Sequence, residues 1–170
     1  CNASPAADLA PILLALGASM QAIGPNERRV IPIDAFFVGP GKTALESNEI
    51  LSEVHVPDPP DGTVLSFIKT GRTFTDIAQV NVAVAMRTKN GLVDYCKIAL
   101  GSVAPTPARI PRAEKALLGR RLDDASIREA ARIVAEDVKP ISDSRGTAKQ
   151  RRESAELLVR RALWKAGGLL

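Results

Sequence analysis

Val80-Asn81-Val82-Ala83-Val84-Ala85-Met86-Arg87-Thr88-Lys89-Asn90-Gly91 is the stretch on which the fold turns. Apolar Val80, Val82, Val84 and Met86 alternate with Asn81, Ala83, Ala85 and Arg87, the period-two pattern of a half-buried strand. Asn90-Gly91 follows at once, and an Asn-Gly pair after such a run marks a tight hairpin, because a type I′ turn needs positive φ at both central residues. A returning strand is expected over 92–103, with another strand candidate at 64–68 before the pair. The segment therefore predicts an antiparallel sheet.

Downstream of the sheet the chain reads as helix in three pieces. The first, 111–118, stops at Gly119; the second, 125–138, follows the capping candidates Asp123-Asp124 and halts before Pro140; the third, 147–166, ends at Gly167-Gly168. Ile127, Ala131, Val134 and Val138 form one apolar stripe, and Leu157, Leu158, Arg161 and Trp164 a less regular one. Upstream, Pro57-Asp58-Pro59-Pro60-Asp61-Gly62 is the densest cluster of chain breakers, which places a domain boundary between units 1–57 and 62–170. In the first unit Asp8 stands where a helix should begin, Pro11 lies in its first turn and Gly17 is its stop. A hairpin of 19–23 with 29–33 around Gly24-Pro25-Asn26-Glu27 follows, then a third strand at 49–56. Strands first and helices after give the α+β class: a small α+β unit, then an antiparallel sheet packed with C-terminal helices.

Composition narrows the chemistry. A chain of 170 residues with 45% hydrophobic content can bury a core, and its longest apolar run, 9–16, is broken by Pro11 and far short of the roughly 20 residues that span a bilayer. Two cysteines and one histidine, with no CxxC spacing, cannot by themselves close a zinc site or hold an iron-sulfur cluster. Neither Cys1, Cys96 nor His55 shows a nucleophile-base arrangement. Few cysteines and no signal-peptide pattern make the cytoplasm the expected compartment. Because the chain starts at Cys1 inside a motif, a fragment or processed piece is expected. Gly39-Pro40-Gly41-Lys42-Thr43 ends like a P-loop, yet Phe36 occupies the position of the required first glycine and Pro40 lacks a backbone N–H, so triphosphate binding is excluded.

Two motifs carry the functional reading: Ala3-Ser4-Pro5-Ala6-Ala7-Asp8-Leu9, and, about sixty residues on, Ser66-Phe67-Ile68-Lys69 followed by Asp76-Ile77-Ala78-Gln79-Val80-Asn81. In this order and spacing they resemble the FAD-binding medium subunit of the molybdenum hydroxylases, the family of carbon monoxide dehydrogenase, xanthine dehydrogenase and aldehyde oxidoreductase. The segment 143–151, Asp143-Ser144-Arg145-Gly146-Thr147-Ala148-Lys149-Gln150-Arg151, resembles a further family signature, with Gln150 where a tyrosine is usual.

The resemblance implies an oxidoreductase subunit that holds FAD and passes electrons onward from iron-sulfur clusters to NAD or another carrier. It implies flavin contacts from Asp8, Ser4, Leu51 and Lys69, and an acceptor-facing loop at 71–76 that keeps Arg72 but has Thr73 and Phe74 where relatives often have a second arginine. A molybdenum-binding large subunit, a 2Fe-2S small subunit and a preceding segment with glycine-rich FAD loops are the implied partners. Each residue also has a plainer reading: Asp8 as a helix N-cap, Leu51 as strand core, Lys69 as a solvated strand end. The alternative from another class is a noncatalytic module whose basic last helix, carrying Arg145, Lys149, Arg151, Arg152, Arg160, Arg161 and Lys165, binds an acidic protein or RNA. A net charge of only +4 and sparse aromatics argue against nucleic acid.

Overall fold

The computed structural model describes residues 2–73 and 75–168; Cys1 and Phe74, both noted in the sequence, lie outside them. Helix α1 (Leu9–Leu16) ends at Gly17, whose φ of 68° is the left-handed stop expected there. The hairpin β1 (Ser19–Ile23) and β2 (Arg28–Pro32) forms, and β5 (Ile50–His55) pairs on the other side of β1 to give the antiparallel order β2-β1-β5. Between them lie elements the sequence did not announce. The four-residue helix α2 (Ile33–Phe36) is followed by β3 (Phe37–Gly39) and β4 (Lys42–Thr43), a hairpin around Pro40 and Gly41. What reads like the end of a P-loop is therefore a hairpin.

The second sheet runs β6 (Val64–Thr70), β7 (Val80–Lys89), β8 (Leu92–Gly101) and β9 (Ala108–Arg109), all antiparallel. Asn90 and Gly91 have φ of 54° and 77°, the pair of positive values the predicted turn demands. Three helices follow: α3 (Pro111–Leu117), α4 (Asp124–Asp137) and α5 (Ala148–Ala166). Both longer ones start with a reciprocal cap, Asp123 with Ser126 and Thr147 with Gln150. The α+β class stands. Among the described residues no helix is long and apolar enough to cross a membrane, and no group of three or more His, Cys, Asp or Glu is placed to hold a metal ion.

Strand β7 departs from the half-buried pattern. All seven residues from 80 to 86 are buried, because each face has its own partner. Val80, Val82, Val84 and Met86 join a core with Ile98, Leu100, Leu117, Ile127, Val134, Leu158 and Leu163 of the helical side. Ala83 and Ala85, with Ala99 of β8, close a second core formed by Leu14, Ala15, Met20, Ala22, Ile31, Ile33 and Phe36. Alanines here reflect close approach of α1, not exposure to water. The α5 stripe is also rotated from expectation: Arg151, Ala155, Leu158, Val159, Ala162, Leu163 and Ala166 are buried, while Leu157 is exposed.

Candidate functional site

The two sequence motifs meet. Lys69 Nζ lies 2.7 Å from Asp8 Oδ2, joining residues 61 apart in the chain. Lys69 stands near the end of β6, and Asp8 immediately before α1, so the second sheet and the helix mouth converge on one ion pair. It is only partly screened from water, with 24% of the Lys69 side chain and 39% of the Asp8 side chain exposed. The same ammonium donates to the Asp76 carbonyl at 3.2 Å. Asp8 does not cap its helix: its backbone is already helical, at φ −73° and ψ −37°, and its carboxylate turns away from the first-turn N–H groups. Its other oxygen, Oδ1, accepts from Asn81 Nδ2 at 3.0 Å.

The remaining expected residues occupy different surroundings. Ser4 closes the turn ahead of Asp8, its carbonyl accepting from Ala7 N at 3.1 Å and its hydroxyl from Ala6 N at 3.3 Å. It lines a cavity of about 380 Å³ shared with Pro5, Pro40, Ser102, Ile141, Asp143 and Arg145. Arg72 is largely exposed and faces Asp76 Oδ2 at 3.4 Å, beside a smaller cavity of about 220 Å³ lined also by Ile77, Gln79 and Arg145. Leu51 of β5, opposite Ala22 of β1, packs against the second core. No hydrogen bond among the described residues joins Leu51 to the Asp8–Lys69 pair.

Behind this surface lies an arginine that the sequence groups with the basic residues of the last helix. Arg151 is 3% exposed. Its Nη1 donates to the carbonyls of Gln79 at 2.8 Å and Ser102 at 3.0 Å, and its Nη2 to Asp143 Oδ1 at 2.7 Å. Gln79 in turn donates from Nε2 to the Arg145 carbonyl at 2.6 Å. The Arg145 backbone N–H, then its guanidinium, then that of Arg151 hold the Asp143 carboxyl well below the usual carboxylate range. The 143–151 signature is thus a clamp between α5 and the loop that leads from Arg72 into β7. Cys96, by contrast, is buried, and burial pushes its thiol up to about 12, away from the reactive thiolate form.

Residues 66–166 match the CO dehydrogenase flavoprotein C-terminal domain, and residues 1–59 the FAD binding domain in molybdopterin dehydrogenase. The chain belongs to the CO dehydrogenase flavoprotein family. Within that flavoprotein family it is 35% identical to the carbon monoxide dehydrogenase medium chain of Hydrogenophaga pseudoflava, over 94% of this chain and 55% of that one. It is 31% identical to the xanthine dehydrogenase FAD-binding subunit of Escherichia coli O157:H7, over 98% and 58%. A solved carbon monoxide dehydrogenase from Hydrogenophaga pseudoflava superposes with a TM-score of 0.95 at 36% identity, covering 99% of this chain and 58% of that one. The chain therefore spans a little over half the length of the flavoprotein relatives it matches.

Sequence reasoning singled out Asp8 and Lys69, which the structure brings into contact, and did not single out Asn81 or the burial of Arg151, which also reach this surface. Signals for both were present. Asn81 is the one amide in a run of apolar strand residues, and Arg151 shares a helical face with Ala155, Leu158 and Ala162.

Proposed function

We propose that this chain is the flavin-holding portion of an electron-transfer subunit in a molybdenum hydroxylase. Its two units, 1–57 and 62–170, would flank one FAD. The carrying observation is the 2.7 Å contact between Lys69 and Asp8. The donor set suits a flavin ring. An ammonium has three N–H donors and Lys69 uses two within the chain, leaving one for a ring carbonyl; a carboxylate accepts at both oxygens, leaving Asp8 a lone pair for a ring imide or ribityl hydroxyl. Bound FAD supplies the redox chemistry, exchanging electrons singly or in pairs. Lys69 contributes a fixed positive charge where negative charge accumulates on reduction, and Asp8 fixes orientation. Ser4 shapes the turn that presents Asp8, and Leu51 gives an apolar wall from the first unit.

In this reading the acceptor, NAD or another carrier, approaches the Arg72 side. Electrons arrive from a 2Fe-2S small subunit that serves a molybdenum-binding large subunit, and pyrophosphate-binding loops come from polypeptide outside residues 1–170. The complex would be cytoplasmic. Asp8→Ala combined with Lys69→Ala in the assembled enzyme tests it. The purified double variant should lose most of its flavin absorbance while the subunits still co-purify; full flavin content in that variant would overturn the reading.

A further inference from the structure

Asn81 is wholly buried, yet it is the polar member of a strand whose neighbours at 80, 82 and 84 are valine. Directly across the β6–β7 ladder stands Lys69, and across the β7–β8 ladder stands Gly101. Paired residues on adjacent strands project to the same face, so Lys69 and Asn81 rise together toward the turn ahead of α1. There the work is divided: Lys69 takes Asp8 Oδ2 at 2.7 Å and Asn81 Nδ2 takes Oδ1 at 3.0 Å, with a second N–H of the same amide reaching the Ala7 carbonyl at 3.3 Å. Both partners of Nδ2 are acceptors only, which fixes the amide orientation chemically.

That orientation has a cost. Asn81 Oδ1 is left buried without a partner, and it lies against Gly101, where an added Cβ would be 2.2 Å from Oδ1 and 3.0 Å from the Pro5 carbonyl. An alanine at position 81 would continue the pattern of its own face, set by Ala83 and Ala85, without an orphaned acceptor. A local departure of this kind, compensated only by its contacts to Ala7 and Asp8, marks a residue retained for what it positions.

We propose that Asn81, given room by Gly101, is a positioning residue that locks the plane of the Asp8 carboxylate toward the flavin. A single ion pair leaves rotation about the Asp Cβ–Cγ bond broad, whereas one donor on each oxygen sets it. The proposal rests on the flavin reading above.

The assembled, flavin-loaded enzyme carrying Asn81→Ser, Gly101→Ala or Asp8→Asn distinguishes the two ideas, with the flavin midpoint potential and flavin dissociation constant as readouts. Asn81→Ser should weaken flavin retention by about tenfold to a hundredfold, as for one lost hydrogen bond to a charged group, and move the potential in the same direction as Asp8→Asn. Gly101→Ala keeps the amide but displaces it, so it should reproduce the shift. If Asp8→Asn alters affinity and potential while both other variants leave them unchanged, the positioning role is overturned and the flavin reading survives. If Asp8→Asn itself changes nothing, both fall. Should the variants at 81 and 101 not fold, the side-chain amide resonances of Asn81 in the full polypeptide without flavin carry the test. They should move on Asp8→Ala, and unmoved signals would overturn the proposal.

Discussion

Replacing Arg151 with methionine keeps the helix and most of the side-chain volume but removes the guanidinium from the clamp. The structure sets the scale. With 3% of the residue exposed, the Gln79 and Ser102 carbonyls lose their Arg151 donors, and Asp143, whose side chain is 24% exposed, loses one of its two arginines. Leaving a buried polar group unpaired costs about 1–3 kcal/mol, and breaking a buried ionic contact from one side about 3–5 kcal/mol. Because these overlap in the same guanidinium, a total of about 3–5 kcal/mol is expected, in the tail of single-substitution effects. For a chain of this size each kcal/mol moves Tm by about 2–4 °C, so a fall on the order of 10 °C should appear by circular dichroism at neutral pH. Arg152→Met, one residue along on the exposed side of α5, should move Tm by less than about 2 °C, as exposed substitutions do. A shift for Arg151→Met no larger than that of Arg152→Met would refute the assignment of Arg151 as a buried clamp.

Gly91→Ala isolates a backbone effect, since an added Cβ meets nothing within 4 Å but the residue sits at φ 77°; chemical denaturation should show a loss of about 1–2 kcal/mol. Glu49 predicts the acid behaviour. Hydrogen bonds from Arg29, then from the Glu46 backbone N–H, lower its carboxyl from 4.5 to about 2. A carboxyl depressed in the folded state stabilises the fold above its unfolded value, and that contribution disappears as pH falls from 4.5 toward 2. Glu49→Gln should therefore reduce Tm at pH 7 and flatten its decline between pH 4.5 and 2; an unchanged acid slope would rule the residue out as a contributor.

The elements that local chemistry determines were legible in the chain. Asn90-Gly91 admits few conformations other than a type I′ hairpin, Gly17 and Gly119 stop their helices, and the valines of β7 show its period. Asp8 and Lys69 were singled out through the family resemblance of their motifs, and their 2.7 Å contact depends on a sheet and a helix meeting across 61 residues. Features set by long-range packing were not legible. Nothing local says that Ala83 and Ala85 face a second core, that Asp8 Oδ1 binds Asn81 instead of helix N–H groups, or that Arg151 points inward while Arg152 points out. Short elements such as α2 and the β3–β4 hairpin also escape, because two to four residues carry too little periodicity to register.

The alanines at 83, 85 and 99 act as a spacer of fixed thickness between the sheet and α1. Because their side chains are single methyl groups, the helix rests close to the backbone of β7 and β8; Ala83 borders an open cavity of about 170 Å³, but a bulkier residue at the fully buried positions 85 or 99 would lift the helix. The lift would travel along the rigid helix to its mouth and separate carboxylate from ammonium without touching either. Valine at 85 is thus a way to detune the ion pair from within the core, by the width of a few carbon atoms.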